Sequence, residues 1–247
     1  NPQSHIVARR ISRRKQKLDA EFFLRRLGQA LNYRESLSIG QDLRRIIWSE
    51  SDGLPGVIVD QYGEHLVLQT TTLAMDQRKD LIVSCLVELL SPKSITLRND
   101  SSMRRPEGLE QEIVMVHGDQ PKPFTVSHLD SVFEIDPANG QKTGLYLDIM
   151  DSYQKVARLA PGKKVLDLFC NQGGFSLACA LAGAQSVRAV DISEDATTAA
   201  AKNAELTGVQ IETITANAFD FLRKHDETYD LTILDPPTFT RNKKTVK

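Results

Sequence analysis

The sequence predicts an α/β chain in two parts: a small α+β domain, then a parallel sheet of about four strands alternating with helices. Three observations predict this. From residue 151 onward, short apolar runs alternate regularly with helix-period segments, the pattern of βαβ units. Before residue 136, the apolar runs are separated instead by Gly, Pro and Asp turns, as in antiparallel sheets. Each strand of the second part also carries, at or just after its end, a residue suited to holding a ligand: Asp167, Asp191, Asn217 and Asp235.

Residues 1–15 are basic, and "HIVARRIS" alternates in a way that suits one strand. Leu18, Phe22, Leu27 and Leu31 recur at roughly helical spacing over 18–35, with Arg25, Arg26 and Arg34 elsewhere on the surface. "RRIIWSESDGLPGVIVDQYGEHLVLQTTT" holds three apolar segments between turns and reads as an antiparallel meander. A helix over 76–90 ends before Pro92, and short strands follow at 94–98, 111–116 and 131–135. The second part reads helix 153–160, strand 164–169, helix 174–182, strand 186–192, helix 194–206, strand 211–215, helix 217–224 and strand 231–235. Gly183 and Gly208 suit the left-handed positions that close helices. Ser193 is placed to cap 194–206, with Glu194 and Asp195 favourable in its first turn.

The 247 residues are enough for one large or two ordinary domains, and 40% hydrophobic with 26% charged residues is globular composition. No apolar run approaches membrane-spanning length, and no signal peptide is recognised. Three widely spaced cysteines make neither a disulfide framework nor a metal site, so a cytoplasmic setting without metal is expected. The net charge of −1 hides an asymmetry: residues 1–45 hold eleven Lys and Arg against four acids, leaving −8 on the remainder. A basic end on an acidic chain suits a polyanion partner or simply a solvated basic face. The start at Asn1 leads us to expect that the native N-terminus lies elsewhere.

The chemistry concentrates at the strand ends. "DLFCNQGGF" places Asp167, a turn, then Gly173 and Gly174 at a helix start, where glycines admit either a ligand or a closely packed helix. Asp191 lies seventeen residues beyond Gly174, where a carboxylate would accept bonds from a ribose diol. Asn217 could bond an adenine edge. The phosphate-binding glycine fingerprint of dinucleotide sites is absent, which favours S-adenosylmethionine, a nucleoside cofactor without phosphate. Asp235 is followed by Pro236 and Pro237, which lack N–H donors, so acceptors alone face one spot. A base amine would complement them, with Phe239 available for stacking. The other reading is a rigid loop without chemistry.

"VLDLFCNQGGFSLACALAGAQSVRAVDIS" with "DPPTF" resembles the Rossmann-like class I S-adenosylmethionine-dependent methyltransferases that modify RNA. "QKTGLYLD" at 141–148 and "ESDGLPGVIVDQYG" at 50–63 narrow the resemblance to the large-subunit ribosomal RNA cytosine-C5 methyltransferase family. The resemblance implies that 1–15 is the tail of a PUA RNA-binding domain, 16–135 a central α+β domain, and 136–247 the first part of the methyltransferase domain. It implies cofactor contacts at Lys142, Thr143, Asp167, Phe169, Asn171, Gly173, Asp191, Ile192, Asn217 and Ala218. It implies Asp235 as the catalytic acid, with Pro236, Pro237 and Phe239 at the base and ribosomal RNA as partner. A homodimer is left open. Asn217 departs from the usual Asp. The family's catalytic cysteine is expected beyond Lys247, because Cys85, Cys170 and Cys179 read as packing residues. Two alternatives stand beside this reading: a guanine N7 or amino methyltransferase, and a non-catalytic RNA-binding or assembly protein.

Overall fold

The computed structural model describes residues 1, 4, 6–37, 42–137 and 145–237. The chain divides into two compact units, 1–126 with 135–147, and 127–134 with 148–247.

In the first unit, α1 (Ala20–Ser36) begins at Asp19, whose carboxylate caps the Phe22 N–H. Its apolar stripe buries Phe22, Phe23, Leu27, Ala30 and Leu31. Then come β1 (Leu43–Trp48), β2 (Val57–Tyr62), β3 (His65–Thr70), α2 (Leu73–Asp76), α3 (Lys79–Leu90), β4 (Ser94–Asn99) and β5 (Glu112–Gly118). These strands form one sheet in sequence order. β1, β2 and β3 are the expected antiparallel meander, and α3 is the crossover that makes β3 and β4 parallel. One continuous core joins α1 and α3 to the sheet through Phe22, Leu27, Ile46, Val57, Leu68, Ile82 and Leu97.

Two elements differ from expectation. Among the described residues of 1–15 there is no strand. Ser4 and Arg9 donate to the Glu107 carboxylate instead, so side-chain bonds and not a ladder hold the segment. The helix expected over 76–90 is α3, which begins at Lys79, after the one-turn α2 whose last residue, Asp76, accepts bonds from Thr70 and Arg104, at 2.7 and 2.8 Å. A further strand, β6 (Phe124–His128), pairs with β7 (Ser131–Ile135) in a two-stranded sheet. Its five residues follow Pro121 and Pro123 directly, a loop signal that masks the strand.

The second unit holds α4 (Met150–Ala157), β8 (Lys164–Leu168), α5 (Gly174–Leu181), β9 (Ser186–Asp191), α6 (Glu194–Thr207), β10 (Glu212–Thr215), α7 (Ala218–Lys224) and β11 (Leu231–Leu234). The strands are all parallel, in the order β10-β9-β8-β11. Alternate residues of β8 enter opposite cores. Val165 packs with Ala160, Cys179, Val187 and Ile233, while Leu166 and Leu168 pack with Val190, Ala218 and Phe221. Ser193 caps α6 through the Ala196 N–H, and Gly208 closes it at φ 77°. Strand β7 docks on α6, where Asn203 and Thr207 accept the Glu134 and Val132 N–H groups. The chain runs outward from β8 to β10, then returns to lay β11 on the other side of β8. The topological switch therefore lies between β8 and β11, where ligands bind in such sheets.

Candidate functional site

Register brings the strand ends together. Asp167 on β8 pairs with Ala189 and Ile233, Thr215 on β10 pairs with Asp191, and Asp235 follows β11 directly. Asp167, Asp191 and Asp235 thus converge at the carboxyl edge of one sheet, close enough that the other two add to the electrostatics of Asp167.

The loop after β8 is wound unusually. Phe169 and Asn171 have φ of 65° and 49°, and Gly173 has 82°. Left-handed backbone is uncommon for non-glycine residues and rare for a bulky aromatic one; such strain persists only where surroundings over-determine it. Here they do. The Phe169 and Cys170 N–H groups both bond Val190 O, at 2.8 and 3.1 Å, and the Gly173 N–H bonds Cys170 O at 2.8 Å. The Asn171 N–H donates to Asp191 Oδ2 at 3.0 Å. The glycines have packing reasons of their own. A Cβ on Gly173 would sit 3.0 Å from Ala200 Cβ, and one on Gly174 would sit 2.2 Å from the Tyr153 ring. The close-packing reading of this pair is therefore part of its explanation.

The acids differ in environment. Asp191 is half-buried, and each of its oxygens accepts one backbone N–H, from Asn171 and from Ser193 at 3.0 Å. A carboxylate oxygen has lone pairs to spare beyond that, so Asp191 is oriented yet still able to accept a diol. Asp167 is fully buried and receives the Ser176 hydroxyl at 2.6 Å. Burial pushes its carboxyl up to about 7, with the Ser176 bonds opposing and Asp235 and Asp191 adding. Asp235, Pro236 and Pro237 are exposed.

Residues 112–246, more than half of the chain, match the family model for S-adenosylmethionine-dependent methyltransferase. The chain belongs to that family. Proteins named ribosomal RNA large subunit methyltransferase I are similar along nearly the whole chain. The one from Aliivibrio fischeri is 36% identical and the one from Photobacterium profundum 35% identical, each over 98% of this chain and 64% of the relative. The chain thus spans just under two thirds of their length. Among solved structures, a protein from Streptococcus mutans assigned as a SAM-dependent methyltransferase aligns with TM-score 0.81 at 22% identity, over 92% of this chain and 61% of its own. A structure assigned as a methyltransferase and complexed with SAH aligns with TM-score 0.82 at 23% identity, over 95% of this chain and 62% of its own. These two speak for the fold.

The residues present fit the family's nucleoside cofactor. Ile192, beside Asp191, is 66% exposed, and Phe219, two residues after Asn217, is 51% exposed. Exposed apolar side chains flanking an oriented carboxylate suit a flat ring with a ribose attached. Phe219 stacks edge-on with Phe169, centroids 6.4 Å apart. The sequence reading missed Phe219; its place in the first turn after Asn217 was the available signal.

Asn217 takes an unexpected part. Its Oδ1 caps α7, accepting from the Phe219 and Asp220 N–H groups at 2.9 and 3.3 Å, so Nδ2 is the group left for a ligand. Ala218 faces the core beside Leu166, which leaves only its backbone for contact. Lys142, Thr143 and Phe239 lie outside the described residues. All three cysteines are buried and free. Burial raises the thiols of Cys85 and Cys170, and pushes Cys179 up to about 12, so none is poised as a thiolate. Among the described residues no helix is long and apolar enough to cross a membrane.

Proposed function

We propose that the chain is the cofactor-holding part of an RNA methyltransferase that forms 5-methylcytosine in large-subunit ribosomal RNA, in the cytoplasm. The observation that carries the reading is Asp191: a carboxylate at the carboxyl end of β9, aimed by two backbone N–H groups and beside the switch point. S-adenosylmethionine, when bound, supplies a methyl group on a sulfonium. In this reading Asp191 accepts the ribose hydroxyls, while Ile192 and Phe219 exclude water from the adenine. Asp235 and the carbonyls beside Pro236 and Pro237 offer only acceptors, which select a base through its amine. Similarity to the ribosomal RNA relatives supports the substrate class.

Cytosine C5 is a poor nucleophile, and its methylation needs a thiolate to add at C6 first. The three buried thiols here do not suit that role, so the reading requires a cysteine from a longer chain. The same observation favours a second reading, guanine N7 or amino methylation, which needs no thiolate.

Two experiments test this. Asp191→Ala should weaken S-adenosylmethionine binding by about 1–3 kcal/mol in calorimetry; unchanged affinity removes the cofactor assignment. Labelled methyl transfer by a longer parent onto unmodified ribosomal RNA, followed by nucleoside mass spectrometry, decides the product. 5-Methylcytidine supports the first reading and a methylated guanosine the second.

A further inference from the structure

Away from the strand ends, the first unit carries two exposed aromatic rings on one continuous bonded network. Tyr33, near the end of α1, is 58% exposed, and Trp48, at the end of β1, is 47% exposed. Each ring lies under a guanidinium. Arg45 sits 4.5 Å from the Trp48 ring centroid, and Arg34 sits 5.7 Å from that of Tyr33.

Neither guanidinium is loose. Arg45 makes a bidentate pair with Asp60, whose side chain is fully buried, at 2.7 and 2.9 Å. Arg34 grips both oxygens of Asp52 and also donates through Nε to Arg45 O at 3.1 Å. Asp52 Oδ2 in turn accepts the Trp48 N–H at 2.6 Å. Tyr33, Arg34, Asp52, Trp48, Arg45 and Asp60 are thus tied together through the two elements that carry the rings.

This arrangement differs from a packing cluster. A structural aromatic residue buries its ring; these two stay about half exposed, while the side chains of Arg34, Asp52 and Asp60 are at most 10% exposed and that of Arg45 is partly buried. Holding two rings in the open against such supports lowers the entropy lost when something stacks on them. Residues 1–45, which include Tyr33 but not Trp48, carry a net +7, and two of their arginines reach the turn after Trp48: Arg9 lies 3.6 Å from Glu50, and the Arg26 guanidinium lies against Gly53. A polyanion with flat, unpaired bases matches both charge and rings.

We propose that Tyr33 and Trp48 form a stacking platform for unpaired bases of single-stranded RNA, separate from the cofactor-holding strand ends. This rests on the RNA-methyltransferase reading for the identity of its partner. The phosphates are taken by neighbouring Arg and Lys of residues 1–45, and the bases by the two rings.

Trp48 is the single tryptophan, so its emission reports this surface alone. The 247-residue chain is titrated with a short oligouridylate, the same length of duplex RNA, and inorganic polyphosphate. The oligouridylate should quench Trp48 emission, and the other two should not, because they bring charge without free base faces. Trp48→Ala and Tyr33→Ala should each weaken oligouridylate binding by roughly tenfold, the scale of losing one base–ring stack, while leaving the salt dependence unchanged. Trp48→Phe should retain most of the affinity, which separates stacking from damage to the fold. Quenching by polyphosphate equal to that by oligouridylate overturns the proposal. So does alanine-variant affinity equal to the parent's, or emission that changes with protein concentration alone, which would mean a second copy covers the ring. Calorimetry of S-adenosylmethionine on the parent keeps the cases apart: a parent that binds the cofactor but shows no quenching by oligouridylate sinks only the platform, and a parent that does not bind the cofactor sinks the cofactor reading.

Discussion

The two units treat buried carboxylates in opposite ways. In the first, Glu107 collects the Ser4 hydroxyl, the Asn1 amide, the Leu73 N–H and Arg9. Burial alone would raise its carboxyl; the bonds from Ser4, Asn1, Leu73 and Arg9 outweigh it and hold the group down at about 2. In the second, Asp167 is buried deeper, receives one serine hydroxyl, faces two other acids, and is raised to about 7. Asp52, Asp60 and Asp76 follow the Glu107 pattern, each paired with an arginine. Asp191 has only backbone N–H partners, from Asn171 and Ser193. A carboxylate whose charge is compensated within the fold stabilises that fold; one left with neutral partners has its interaction free energy available for a ligand.

The contrast should break most visibly at Glu107. Glu107→Ala leaves the Arg9 guanidinium, the Ser4 hydroxyl and the Leu73 N–H without their acceptor, and should destabilise the first unit by about 3–5 kcal/mol. Urea unfolding followed by Trp48 emission reports that unit. The pH dependence has a definite sign. A carboxyl lowered from 4.5 to about 2 contributes stability that is present above pH 4.5 and is lost as pH falls toward 2. An unchanged urea midpoint would make the paired arrangement energetically idle.

Asp167 should show the opposite sign. With its carboxyl raised from 3.8 to about 7, the folded state holds a proton that the unfolded chain has released. Stability of the second unit should therefore fall as pH rises from about 4 to 7, by about 4 kcal/mol in all, and level off above. Asp167→Asn keeps an oxygen for the Ser176 hydroxyl and removes the proton equilibrium, so the slope should vanish. Hydrogen exchange of the β8 and β9 amides, corrected for intrinsic rates, checks it. Parallel slopes in parent and variant would mean that Asp167 does not titrate in this range.

The same division explains what was legible in the sequence. β8, β9, β10 and β11 announce themselves because short strand-like runs alternate regularly with helix-period segments, and Ser193 and Gly208 mark α6 by local chemistry alone. The strand-end acids were legible because strand ends are where open α/β sheets bind ligands. Long-range pairing left no such trace. Nothing local to "HIVARRIS" says that Arg9 meets Glu107, so an alternating pattern suggested a strand that is absent among the described residues. Nothing local to Asp76 says that Arg104 will hold it. Asn217 was expected as a ligand contact and was illegible as a cap, because one amide offers two different faces.

That amide gives the finest discrimination. Asn217 Oδ1 is committed to the Phe219 and Asp220 N–H groups, so toward an adenine this chain presents a donor, Nδ2, where an aspartate would present a second acceptor. Asn217→Ala should cost the second unit about 1 kcal/mol through the lost cap. Asn217→Asp should cost nothing comparable, because aspartate caps equally well and its charge suits the helix N-terminus. Ligand preference should move instead. A donor tolerates the 6-oxo group of S-inosylhomocysteine, whereas an acceptor is repelled by it and favours the 6-amino group of S-adenosylhomocysteine. On the cofactor reading, the parent should bind the two within about threefold of one another, and Asn217→Asp should favour the adenosyl compound by about 1 kcal/mol or more, the scale of one hydrogen bond. Calorimetry of both ligands on both proteins checks this. An equal adenosyl preference before and after substitution would mean that position 217 serves α7 alone and that the adenine is read elsewhere.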